Sequence, residues 1–208
     1  MRCRTSPQLA IIGLLVLLTL LALVAANLGA LTLSFRTLWR EPFSDAAWHI
    51  WLNIRLPRVL LAVVIGCALA VSGAVMQGLF RNPLADPSLL GISSGGALFV
   101  ALFIVMPLAL PVTIALYGHM LAAFLGSLLV SLLIYGISRS GHGNLSRLLL
   151  AGIAINALCM AAIGVLSYVS SDQQLRQFSL WMMGSLSQSQ WPTLAVSASL
   201  ILPAALLT

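Results

Sequence analysis

Gly91-Ile92-Ser93-Ser94-Gly95 fits G-x-S-x-G, a spacing that presents a nucleophilic serine in many hydrolases. Ser93 would need a base to take its proton, and His119 and His142 are the candidates. The third histidine, His49, is remote in sequence, and no two of the three share an i, i+4 helical face. The stretch also opens an apolar run rich in small residues, where close helix packing explains the motif equally well. Other chemistries fail for want of residues. Without a lysine there is no G-x-x-x-x-G-K-[ST] phosphate loop, so ATP hydrolysis by that route is excluded. A single glutamate, Glu41, leaves no H-E-x-x-H zinc site. Cys3, Cys67 and Cys159 form no C-x-x-C pair, and the last two sit in apolar runs, where a thiol is a small hydrophobe. No metal and no cofactor are expected.

The elements that would position such residues follow from composition. Hydrophobic residues make up 61% of the 208, and charged residues only 7%, against roughly 25% in a soluble domain. Apolar runs near the length needed to span a bilayer recur along the chain, so the expected fold is an all-α integral membrane bundle of about six transmembrane helices. The spans are placed at roughly Leu9–Leu33, Pro57–Leu79, Leu89–Met106, Pro111–Ile137, Leu145–Val169 and Pro192–Leu207. Residues 1–208 are read as a single membrane domain. Arg2 and Arg4 precede the first run, which is too long for a secretory leader despite a passable cleavage site at Val24-Ala25-Ala26, so an uncleaved helix is expected. The ten arginines divide evenly between the two sides and do not orient the bundle; the first helix, with its flanking arginines, favours a cytoplasmic N-terminus. The net charge of +6 is a membrane-orientation signal, with no nucleic-acid partner expected.

Four local features stand out. In the second span Ala62, Gly66, Ala70, Ala74 and Gly78 recur every fourth residue, a small-residue face suited to close helix packing inside a bundle. The turn Arg81-Asn82-Pro83-Leu84-Ala85-Asp86-Pro87 follows it, with Asp86 and Pro87 placed to start the third helix and Arg81 able to pair with Asp86. Asn156 lies mid-span, where an amide either bonds to another helix or lines a water-filled path. In the segment 170–186, Leu175, Phe178 and Met182 recur at three- and four-residue spacing, which predicts a short amphipathic helix. Arg176 on that helix either pairs locally with Asp172 at i, i+4 or meets something outside it.

Arg55-Leu56-Pro57-Arg58-Val59-Leu60, Ser72-Gly73 with Gln77-Gly78, the Arg81–Pro87 turn, Leu90–Gly95 and Trp181-Met182-Met183-Gly184-Ser185-Leu186 together resemble the permeases of bacterial ABC importers for iron chelates, haem and vitamin B12. In texture the chain is closest to the haem permeases. The resemblance covers essentially the whole chain. It implies a non-enzymatic transport subunit in the inner membrane, surrounded by lipid and importing haem or a related iron compound. The implied partners are a second permease copy, a pair of ATP-hydrolysing subunits and a periplasmic substrate-binding protein. It further implies that Arg55 and Arg58 dock the binding protein, and that a gating helix lies near Arg176. Arg176 would then attract the carboxylate edge of an anionic cargo at the substrate gate, with Asn156 on its pathway. Members of the family have about ten spans, so this chain is expected to stand for the first six, without the coupling loop and last four helices. Two readings of other classes stand beside this one. One is a rhomboid-like intramembrane serine protease centred on Ser93, and the other a truncated, non-transporting assembly partner.

Overall fold

The computed structural model describes residues 7–28, 46–106, 112–139, 145–187 and 189–207. Among the described residues the regular structure is entirely helical. The order is α1 (Pro7–Asn27), α2 (Ala46–Ile50), a π-helical turn (Trp51–Arg55), α3 (Leu56–Phe80), a 3-10 turn (Pro87–Leu90), α4 (Ile92–Val105), α5 (Val112–Arg139), α6 (Leu145–Val169), α7 (Asp172–Met183) and α8 (Trp191–Leu206). Among the described residues four helical stretches are long and apolar enough to cross a membrane: Gln8–Asn27, Ala47–Phe80, Tyr117–Arg139 and Leu145–Val169. The apolar helices Ile92–Val105 and Trp191–Leu206 are shorter. Helix is the form that lets each segment satisfy its own backbone in lipid, and stray side-chain donors are absorbed the same way. Thr19 returns its hydroxyl to Leu15 O at 2.7 Å and Val16 O at 2.9 Å.

The second span departs from its expected start at Pro57. Helix begins at Ala46 and runs through the π-helical turn, so residues 46–56, expected as connection, are helical. Pro57 explains the irregular turn. A proline has no N–H to offer the carbonyl four residues back, and its ring crowds that carbonyl. The chain widens instead, and Leu56 N–H bonds to Trp51 O, five residues back. Pro57 itself is fully buried. Trp48 and Trp51 meet edge to face at 6.2 Å, and Asn53 bonds to His49 at 3.1 Å, bracing the added turns.

The residues form two compact units, one of Met1–Leu69 with Leu186–Thr208 and one of Ala70–Ser185. In the second unit the core lies among α4, α5 and α6. Val130, Ile134, Ile155 and Cys159 form one buried cluster, edged by Leu98, Leu148 and Ala151. Ala97, Ala101 and Ile163 form another, and Phe178 and Trp181 of α7 pack against it. Glycines set the approach of α4 to α5. A Cβ on Gly95 would lie 2.8 Å from Val130 Cβ and 2.9 Å from Gly126 O, and one on Gly96 would lie 2.7 Å from Ser127 Oγ. Lipid supplies no hydrophobic force between helices, so backbone-close packing of this kind is what holds them together. The expected small-residue face of α3 behaves differently. Ala62, Gly66, Ala70, Ala74 and Gly78 are exposed, and a Cβ added at Gly66 or Gly78 would meet nothing within 4 Å.

Candidate functional site: an arginine clasp, a capped helix and a double turn

In the first unit the two expected docking arginines reach main-chain carbonyls. Arg55, 8% exposed, donates from Nη1 to Ala26 O at 3.3 Å and Asn27 O at 2.9 Å. These are the last carbonyls of α1, which have no partner inside their own helix and carry the negative end of its dipole. A guanidinium is well matched to them. Arg58 donates from Nε to Leu186 O at 3.0 Å and from Nη2 to Ser187 O at 3.2 Å, and remains half-buried. Trp191, at the start of α8, donates its indole N–H to Leu52 O at 3.2 Å. The π-helical turn and the start of α3 thus hold both the end of α1 and the approach to α8. Sequence reasoning placed charge here and missed that carbonyls receive it.

In the second unit the short helix expected near Arg176 is α7. Ser171 and Gln174 form a reciprocal capping box: the Ser171 hydroxyl accepts from Gln174 N–H, and Ser171 N–H donates to Gln174 Oε1 at 2.9 Å. The amide nitrogen of Gln174 continues outward to Ile104 O at 3.1 Å and Val105 O at 3.3 Å, satisfying the end of α4. One side chain therefore caps two helices. Gln177 meets His119 of α5 at 3.3 Å, and that ring rests edge-on against Phe103 at 5.0 Å. The packed face differs from the expected one. Phe178 and Trp181, stacked at 6.5 Å, lie on the core, whereas Leu175 and Met182 are exposed. Of the stripe read as Leu175–Phe178–Met182, Phe178 packs and Leu175 lines a small cavity with Ala101, Ile104 and Val105, while Trp181 takes the packed place expected of Met182. The S-x-x-Q spacing of Ser171 and Gln174 was the legible signal for the capping box. Arg176 is exposed, and among the described residues it forms no ion pair with Asp172.

The Arg81–Pro87 segment is two Asx-Pro turns in tandem. Asn82 Oδ1 accepts from Leu84 N at 3.0 Å, and Asp86 Oδ1 accepts from Ser88 N at 2.7 Å. Ala85 N–H returns to Asn82 O at 3.1 Å. Ahead of them α3 ends in a Schellman arrangement, with Arg81 N bonded to Gly78 O and Asn82 N to Gln77 O. Arg81 occupies the left-handed position, φ 49°, normally given to glycine. Asp86 starts the helix as expected, although it caps a 3-10 turn and its partner is Ser88, not Arg81. Bonds from Ser88, the hydroxyl first and then the backbone N–H, hold the Asp86 carboxyl below its ordinary range. The turn ends at Gly91, φ 70°, where a Cβ would lie 3.1 Å from Gly152 O and 3.3 Å from Asn156 N. Those residues stand roughly 10–16 Å along α6 from its start. Non-helical backbone at such a depth is tolerated where protein covers it or water reaches it. Asn156 is half-buried there, and among the described residues its side-chain amide makes no hydrogen bond.

Among the described residues the serine motif is brought to no base. Ser94 is buried and donates to Gly91 O at 2.8 Å, while Ser93 is exposed. His119 rests on Phe103, ten residues further along α4, roughly 15 Å away by helix rise. His142 lies outside the described residues, as do Glu41 and Asp45. Gly91 and Gly95 serve close approach to α6 and α5, so packing accounts for the spacing.

The FecCD transport family matches residues 14–208. The chain is 70% identical over 207 residues to the hemin transport system permease protein HmuU of Yersinia pestis, covering 100% of this chain and 62% of that one. It is 40% identical over 177 residues to the vitamin B12 import system permease protein BtuC of Vibrio parahaemolyticus, covering 84% of this chain and 53% of the relative. A solved chain in an inward-facing conformation, assigned to the metal-chelate type of ABC transporter, superposes with a TM-score of 0.76 at 31% identity. The match covers 89% of this chain and 56% of that one. The chain thus spans between half and two thirds of the length of these relatives. With an all-helical membrane fold, the turn motif in place and this match over nearly its whole length, the chain belongs to the FecCD transport family.

Proposed function

We propose that this chain is a permease component of an ATP-driven importer that carries haem or a related iron compound across the bacterial inner membrane. The observation that carries the reading is the 70% identity to a hemin permease over 207 residues. The all-helical structure of the described residues and the lack of a lysine-dependent phosphate loop are in keeping with it. In this reading residues 1–208 belong to one permease domain, paired with a second copy and embedded in lipid. Two ATP-hydrolysing subunits act from the cytoplasm, where the N-terminus and the Arg81–Pro87 turn also lie. A periplasmic binding protein docks at the opposite face. Arg58, half-exposed at the clasp, offers it charge, and Arg55 fixes the clasp from beneath. Arg176, exposed on α7, attracts the carboxylates of an anionic cargo at the gate, and Asn156 lines the path below.

A chimera tests this, with residues 1–208 replacing the matching part of the Yersinia pestis hemin permease in a strain lacking that permease. Growth on hemin as sole iron source is the expected result. Arg176→Ala in the chimera should abolish most of that growth, and Arg176→Lys should keep part of it. A chimera that inserts into the membrane yet supports no hemin uptake sinks the reading. Cobalamin uptake in place of hemin would retain the permease and reject the cargo.

A further inference from the structure

We propose that Arg58 is a latch on the segment following α7, and that a carboxylate presented by a docked protein releases it. The inference rests on the docking reading above and concerns what docking does. Arg58 spans two consecutive carbonyls, Leu186 O at 3.0 Å and Ser187 O at 3.2 Å, the second on the exposed side. Its acceptors are neutral. The guanidinium already makes these bonds charge-assisted; a carboxylate accepting the same donors adds a full negative charge of its own and matches the guanidinium fork in a single plane. A partner's carboxylate therefore displaces the carbonyls, the exposed Ser187 bond first.

What is released is the short stretch between Gly184 and Trp191, whose indole N–H stays on Leu52 O. Leu186 O also accepts from the Ser189 hydroxyl at 2.6 Å and from Ser189 N–H at 3.3 Å, so that carbonyl keeps partners without Arg58. Just ahead of it Gly184 adopts φ 74°, ψ 145°, a conformation close to glycine-only, and a Cβ there would meet nothing within 4 Å. Gly184 ends α7, so it is a pivot between the helix bearing Arg176 and the segment that Arg58 holds. Arg55 cannot serve the same purpose. It is buried and its acceptors belong to α1, so it stays bound while Arg58 exchanges partners.

A spin label at position 185 (Ser185→Cys, with Cys3, Cys67 and Cys159 replaced by serine) in lipid nanodiscs reads the latch. Arg58→Ala should shift the spectrum toward its mobile component. Hexaglutamate at low salt should produce the same shift in the parent protein and no further shift in Arg58→Ala. Arg58→Gln, which keeps donors for the carbonyls and loses the charge, should retain the immobile component and ignore the peptide. The proposal is overturned if Arg58→Ala leaves the spectrum unchanged, or if hexaglutamate binds the parent protein without mobilising the label. Absence of any hexaglutamate binding, with Arg58→Ala still mobile, removes the docking reading and with it the release step.

Discussion

Two helical faces in this chain are built from the same small residues and have opposite surroundings. On α4, Gly95 and Gly96 press against Gly126, Ser127 and Val130 of α5, with no room for a side chain. On α3, Gly66, Gly73 and Gly78 stand in open space, and the alanines between them are exposed. A helix in lipid gains little by exposing glycine, which lowers helix propensity by about 1 kcal/mol relative to alanine. Such a face is retained where another backbone comes close, so the open stripe reads as a packing surface that this chain's own described residues leave uncovered. The comparison teaches that four-residue spacing of small residues identifies a packing face without identifying its partner.

The largest test of the contrast is Gly95→Leu. Overpacking a backbone contact should cost about 1–3 kcal/mol, forcing α4 from α5. Cys159, buried in the cluster that includes Val130, reports it. With Cys3 and Cys67 replaced, the Cys159 thiol should react with a maleimide at markedly lower temperature in the variant. A smaller test lies in the turn that joins the two faces. Arg81→Gly relieves a left-handed backbone position that costs a side-chain-bearing residue roughly 1–2 kcal/mol, so the same assay should show a modest gain. Loss of transport in the corresponding chimera, despite that gain, would show that the strain is retained for the arginine side chain. The smallest effect belongs to Gly66→Leu, which should leave Cys159 reactivity as in the parent chain. A large destabilisation there would mean that the stripe is already packed, and would erase the contrast.

The turn shows how far local chemistry can be read. Asn82-Pro83 and Asp86-Pro87 announce their own turns because an Asx side chain bonds two residues ahead and proline fixes φ. The Arg81–Asp86 pairing failed because Ser88 lies nearer the carboxylate than any side chain across the turn. In the same way the expected span Leu145–Val169 coincides with the described helix, whose far end is set where the polar Ser170 and Ser171 follow the apolar run. The second span was not, because Pro57 suggested a start where the helix in fact continues through a π-helical turn.

By itself the sequence determined the class of molecule, the approximate spans, the double turn, the short helix near Arg176 and the absence of a lysine-dependent phosphate loop. These depend on composition and on interactions between residues a few positions apart. Only the tertiary structure decided where the arginines point, which face of α7 packs, and which glycines are crowded. Arg55 meets a carbonyl 28 residues away, Arg58 one 128 residues away, and Gln174 one 70 residues away. A donor's chemistry is written in its own residue type, whereas its acceptor is chosen by how helices distant in sequence come to lie together.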